Sequence, residues 1–207
     1  MRRERPPELF EVEIASLAPG RDGAGVHAGR TVHVPWTLPG DRVLAMSQGH
    51  GRALPERWLH RAPGRAEPAC GHFERCGGCT AQHLQASDYA AWKTGIALEA
   101  ASRAGFPDAR VAPLALSPPR SRRRATLAAV HGAAGIAIGF HALARREIVD
   151  ISSCAVLSPA IAGLLPALRE ALRPALDRAA RCDIAITAAE NGADVVALGE
   201  FTGARLA

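Results

Sequence analysis

Residues Cys70-Gly71-His72-Phe73-Glu74-Arg75-Cys76-Gly77-Gly78-Cys79 put three thiols within ten positions, on a loop that separates two differently patterned halves of the chain. Thiol groups at this spacing suit tetrahedral zinc or an iron–sulfur cubane, because both are thiophilic and soft ligands displace water. Gly77 and Gly78 let the loop turn tightly and leave backbone amides free to point at sulfur, which favours a cluster. A fourth ligand is needed. Cys154, between an expected strand and an expected helix, is better placed than Cys182, which opens an apolar hairpin and reads as a buried small residue. Cys76 and Cys79 alone would also fit a redox pair, but Cys70 in ligand reach lowers that reading. His72 and His83 adjoin the loop, where surface or capping roles are commoner than ligation. The cysteines number five, an odd count that argues against a disulfide framework.

Working upstream, Phe10, Val12 and Ile14 alternate with Glu11, Glu13 and Ala15, the period of a half-buried strand. Gly20, Gly23 and Gly25 read as a turn, Thr31–Val34 as a strand, Pro39-Gly40-Asp41 as a turn and Arg42–Met46 as a further strand. Short strands between Gly/Pro turns fit a small OB-like barrel over 1–62. From about Leu54 to Pro68, arginines, prolines and Gly64 read as a linker, with the second domain running over 63–207.

Downstream of the cysteine loop, Tyr89, Trp92, Ile96 and Ala100 recur at helical spacing until Gly105 and Pro107. Ala125–Val130 and Ile136–Phe140 read as strands paired around His131-Gly132, and Ile148–Ile151 as a strand leading into Cys154. A helix is expected over Pro159–Leu172, with Pro166 and Pro174 set to kink or cut it. Ile184–Thr187 and Asp194–Leu198 flank Asn191-Gly192, a hairpin signal. The fold class expected is α+β: a barrel, then an α+β domain behind the cysteine loop.

Lys93 is the only lysine, so the net charge of +5 is set by arginine. Guanidinium forks pair with phosphates and stack on bases, which makes a polyanionic partner plausible. Arg120, Arg122, Arg123 and Arg124 form the sharpest basic patch; a solvated charge run is the bland alternative. No apolar run of membrane-spanning length and no signal-peptide pattern occurs, so a soluble cytoplasmic monomer is expected.

The cysteine loop, with Gln82-His83-Leu84, Tyr89 and Lys93 behind it, resembles the iron–sulfur signature of the bacterial class I RNA uracil-C5 methyltransferases that act on 23S ribosomal RNA. Gly23 to Val43, with His33-Val34-Pro35 and Leu38–Val43, is similar to the RNA-holding TRAM barrel that heads these enzymes. Ser117-Pro118-Pro119, Arg122–Ala125, Ile138-Gly139-Phe140 and Ile148–Cys154 resemble the family's central domain. The resemblance implies a [4Fe-4S] cluster on Cys70, Cys76, Cys79 and Cys154, an RNA partner (ribosomal rather than transfer RNA), and S-adenosylmethionine as methyl donor. The family's cofactor fold, with its Gly-rich loop, acidic ribose ligand, nucleophilic cysteine and general-base glutamate, has no matching segment here. No catalytic and no S-adenosylmethionine-binding residue is therefore assigned, and the chain is expected to behave as the front part of such an enzyme, inactive alone. A competing expectation is a non-enzymatic RNA-binding module with structural zinc on the same cysteines.

Overall fold

The computed structural model describes residues 8–19, 22–143, 145–199 and 201. The chain forms two compact units. One takes residues up to Pro68 together with Thr80–Ala115; the other takes Ala69–Cys79 together with Leu116 onward. This threading differs from a division at 62/63: the cysteine loop belongs to the later unit, while the helix that follows it groups with the barrel.

In the first unit, β1 (Leu9–Leu17), β2 (Gly23–His27), β3 (Arg30–Val34), β4 (Arg42–Gly49) and β5 (Arg52–His60) close into a barrel in the order β1-β2-β3-β5-β4. Strict alternation in β1 turns Phe10, Val12 and Ile14 inward, where they meet Val32, Val34, Val43, Ala45 and Ala53. Two expectations need correcting. Gly23 and Gly25 do not make a turn but lie in β2, because a Cβ at Gly23 would collide with the Thr37 side chain and one at Gly25 with the Glu13 carbonyl; Gly20 falls outside the described residues. The linker begins after His60, since Leu54 to His60 belong to β5. Pro55 is accommodated there because the β4–β5 register shifts beside its partner Ala45.

Behind the barrel, fully buried Asp41 accepts hydrogen bonds from the Leu38 amide at 2.7 Å and the Ala62 amide at 2.8 Å, and pairs with Arg65, itself only 12% exposed. His83, expected at a surface or capping position, is instead buried, with its ring against the Thr37 carbonyl. Burial, reinforced by the Arg65 charge, lowers its pKa to about 4, so the ring is neutral at physiological pH. Helix α1 (Ala86–Arg103) packs Tyr89 and Trp92 beside Leu38, Ala62 and Leu84, and the Trp92 indole donates to the Ala18 carbonyl.

In the second unit, β6 (Arg124–Gly132), β7 (Gly135–His141), β8 (Ile148–Asp150), β9 (Arg181–Ala189) and β10 (Gly192–Gly199) form an antiparallel sheet ordered β10-β9-β6-β7-β8. Helices α2 (Pro159–Ala162) and α3 (Leu165–Ala175) add Ile161, Leu165 and Leu172 to a core built on Leu127, Ile138, Val149, Ile184 and Ile186. The expected single helix is interrupted at Gly163-Leu164; Pro166 then sits in the first turn of α3, where its missing N–H costs nothing, and Pro174 in the last. Both hairpin turns are also displaced from where they were expected, the first by two residues and the second by one. Gly132 pairs with Gly135 and Ala189 with Gly192, so the turns are Ala133-Ala134 and Glu190-Asn191, and each closing glycine takes a positive φ on re-entering the sheet. Among the described residues strand outweighs helix about two to one, a more β-rich chain than the α+β class suggests.

Candidate metal centre and arginine groove

All four candidate ligands lie in the second unit. The loop closes on itself through amides of Phe73 to the Cys70 carbonyl (3.0 Å) and Cys76 to the His72 carbonyl (2.8 Å), with Glu74 left-handed at the bend. It is then pinned to the end of β7: the Gly77 amide donates to the His141 carbonyl at 2.8 Å, and Cys76 bridges Ala142. A Cβ on Gly77 would lie 2.8 Å from that carbonyl, and one on Gly78 would press on Cys76 Sγ and the Phe140 ring at 3.4 Å. Glycine is thus required at Gly77 by the docking of the loop and is tightly fitted at Gly78.

Two of the sulfurs already accept backbone amides, Cys76 Sγ from Gly78 at 3.4 Å and Cys154 Sγ from Val156 at 3.5 Å. Burial pushes the Cys76 thiol up from its ordinary value; the Gly78 amide opposes this, and Cys79, Cys70 and Cys154 each push it further up. Cys79, Cys70 and Cys154 therefore all act on the Cys76 thiol, and a cation bound beside it would oppose that effect. All five cysteines are free thiols. Cys182 is buried in β9 within the apolar core, its thiol also raised by burial.

Among the described residues, no three His, Cys, Asp or Glu side chains are gathered as the ligands of a single ion. Thiolates around one zinc stand about 3.8 Å apart, the tetrahedral spacing at ~2.3 Å bonds. Thiolates on a cubane each take a different iron and stand wider. The site presents two sulfur-directed amides and a glycine-lined bed.

The arginines enter at the same place. The Arg120 amide donates to the Ala155 carbonyl and the Arg122 amide to the Val156 carbonyl, each at 3.0 Å, and the Ser158 amide returns to the Arg122 carbonyl at 2.9 Å. The segment carrying the basic patch is thus laddered onto the residues directly after Cys154. Arg122, Arg123 and Arg124 are exposed and line a groove of about 880 Å³ facing Thr187 and the Glu190-Asn191 turn. Arg120 is exposed, in a left-handed conformation, and does not line that groove. Sequence reading had missed Arg169, whose guanidinium donates to Asp150 Oδ1 at 2.6 Å and the Ile151 carbonyl at 2.8 Å, fixing the strand end that leads to Cys154. The lone Asp150 in an apolar strand was the available signal, since its carboxylate stands beside the strand's end where a guanidinium can pair with it.

Comparison with known proteins adds a chemical context. The chain is 36% identical over 189 residues to an uncharacterized RNA methyltransferase of Brucella suis biovar 1, covering 91% of this chain and 45% of that protein. The relatives are RNA methyltransferases by name. A second, from Pectobacterium carotovorum, is the 23S rRNA (uracil(1939)-C(5))-methyltransferase RlmD, 34% identical over 180 residues, 83% of this chain and 40% of the relative. The RlmD of Alkalilimnicola ehrlichii is 33% identical over 168 residues, 77% and 38% of the two chains. The chain spans less than half the length of these relatives. No protein-family model matches it. Among the described residues, no helix is long and apolar enough to cross a membrane.

Proposed function

We propose that this chain is the RNA-recognising, cluster-bearing front part of an RNA methyltransferase that moves a methyl group from S-adenosylmethionine to C5 of a uridine, with 23S ribosomal RNA as the substrate. The observation that carries the reading is the ladder joining Arg120 and Arg122 to residues 155–158 beside Cys154, which puts a thiol site and a cationic groove on one scaffold. Cys70, Cys76, Cys79 and Cys154 would hold a [4Fe-4S] cluster, and the amides of Gly78 and Val156 would stabilise its thiolates. Bound there, the cluster would supply cross-linking of loop and strand, and no redox step is needed for that role. Arg122, Arg123 and Arg124 take phosphates and position the RNA without reading its sequence. Methyl transfer itself needs a cofactor loop and a nucleophile that have no match in these 207 residues, so this chain alone is expected to transfer no methyl group.

The test is binding of single-stranded RNA as a function of salt. Replacing Arg122, Arg123 and Arg124 by alanine should flatten the log–log slope by about 0.7 per lost phosphate contact. An unchanged slope in the triple variant would assign these arginines to the solvated surface. The zinc-module alternative is separated by metal analysis after anaerobic purification, since it requires a colourless protein with one zinc and no sulfide.

A further inference from the structure

The two edges of the sheet in the second unit are built differently. At one, β8 is only Ile148–Asp150, and Arg169 closes it by donating to Asp150 Oδ1 and to the Ile151 carbonyl. At the other, β10 runs for eight residues and pairs with β9 from Gly192 to Gly199 without a register shift. Its far side is the end of the sheet. Natural sheets blunt such an edge with a lysine, a proline, a bulge or a covering segment. β10 contains no lysine, arginine or proline and has no bulge, and among the described residues no further backbone hydrogen bond joins it to another segment. The barrel strands present no comparable edge, because they close on themselves.

β10 is also apolar on both faces. Val195 lies across from Ile186 and Ala197 across from Ile184, so this row points to the core side, yet Val195 is 38% exposed while both isoleucines are buried. Val196 and Leu198 lie across from Ala185 and Asp183 on the opposite face, and are 43% and 65% exposed. A strand with an open backbone edge and two exposed apolar rows lacks a neighbour on its open side. Register and charge select a second copy of β10 as that neighbour. A two-fold axis perpendicular to the sheet sets the strand antiparallel to itself, and only registers centred on a residue keep each row on its own face. Centring on Asp194, the one charged residue of the strand, would oppose two carboxylates. Centring on Val196 opposes Val196 to its own copy, Val195 to Ala197, Asp194 to Leu198 and Ala193 to Gly199. That set has a β-branched pair at the axis and no like charges face to face.

We propose that β10 is the interface of a symmetric dimer of this chain, in which two five-stranded sheets join edge to edge about Val196, in place of the monomer expected from sequence. Because β8 is closed, the contact joins two chains and stops there. Glu190 and Asn191, at the turn that opens β10, line the arginine groove, so the dimer carries one such groove toward each end of the joined sheet. The inference does not depend on the RNA reading. It is tested by sedimentation velocity of the full chain from about 1 to 100 μM, since a single strand pair makes a smaller interface than a standard one and should dissociate in the micromolar range. A dimer should form at the upper end and nothing larger. Val196→Lys puts like charges face to face at the axis and should raise the dissociation constant about tenfold or more, as should Val196→Glu. Mixing the two variants should restore association, because lysine then faces glutamate, and restoration also shows that each variant has kept its fold. Val26→Lys, at a 66% exposed position on β2, should leave the dimer unchanged. A wild type that stays monomeric over this range would overturn the proposal and leave the open edge to a strand of different sequence. Association that survives Val196→Lys, grows beyond two copies, or fails to return in the mixture would overturn it as well.

Discussion

The two units solve the same problem, fixing an irregular segment against a sheet, by different chemistry. In the first, the turn at Pro39-Gly40-Asp41 and the segment through Arg65 are tied by a buried carboxylate that collects two amides and a guanidinium, next to a neutral histidine. All the necessary partners are protein groups. In the second, the loop from Cys70 to Cys79 has few apolar anchors, Cys76 alone among its thiols being buried, and burial together with the neighbouring cysteines raises the proton affinity of Cys76. A segment tied by internal charge should be sensitive to substitution of the charge and to pH; one organised around thiols should be sensitive to metal.

The largest effect is expected from the thiols. Cys76→Ser removes the most buried ligand, and because metal-binding free energy is also folding free energy, the variant should lose its metal and its cooperative melting, or precipitate. Thermal denaturation of anaerobically prepared protein reads this directly. A variant that melts like the wild type would show that the loop is held without metal, and the contrast between the units would collapse.

Next comes the buried ion pair. Asp41→Ala takes the carboxylate from Arg65 and from two buried amides, and removing one partner of a buried pair costs about 3–5 kcal/mol. Urea denaturation should show it as a lower midpoint at unchanged slope. A loss under about 1 kcal/mol, the range of exposed pairs, would mean that Asp41 and Arg65 are screened by water.

The pH effect is smaller. His83 has its folded pKa lowered to about 4 from 6.5, so the unfolded chain binds the proton more readily. Its contribution is fully present above 6.5 and is lost as pH falls from there toward 4, amounting to about 2 kcal/mol at pH 5. Denaturation midpoints between pH 7.5 and 5 should fall, and His83→Gln should flatten that decline. An equal decline in the variant would place the titration on another group.

How much of this was legible beforehand depended on whether the cause was local. Alternation in β1 and the apolar spacing of α1 could be read because each is a property of adjacent residues. β5 was hidden by Pro55 and by exposed Glu56 and Arg57, since its place in the barrel is set by pairing with β4. The glycines of β2 looked like turn residues because a glycine demanded by a neighbour's approach is identical in sequence to one demanded by φ. Asp41 was read only as a turn residue, as its partners Ala62 and Arg65 lie over twenty positions away. At the candidate site, the spacing of Cys70, Cys76 and Cys79 singled out the loop. What no local pattern could reveal is the ladder between residues 120–122 and 155–158, which brings the arginines to Cys154.

In the proposed arrangement Cys154 completes a cluster site begun by Cys70, Cys76 and Cys79, while Cys182 lies in the core. The direct measurement is iron and acid-labile sulfide content of the wild type and the five single serine variants, prepared without air. The wild type should carry both elements, the four ligand variants should lose them, and Cys182→Ser should keep them at a stability cost of about 1–3 kcal/mol for a polar group in an apolar site. Full iron in Cys154→Ser together with lost iron in Cys182→Ser, or a wild type holding zinc and no sulfide, would contradict it.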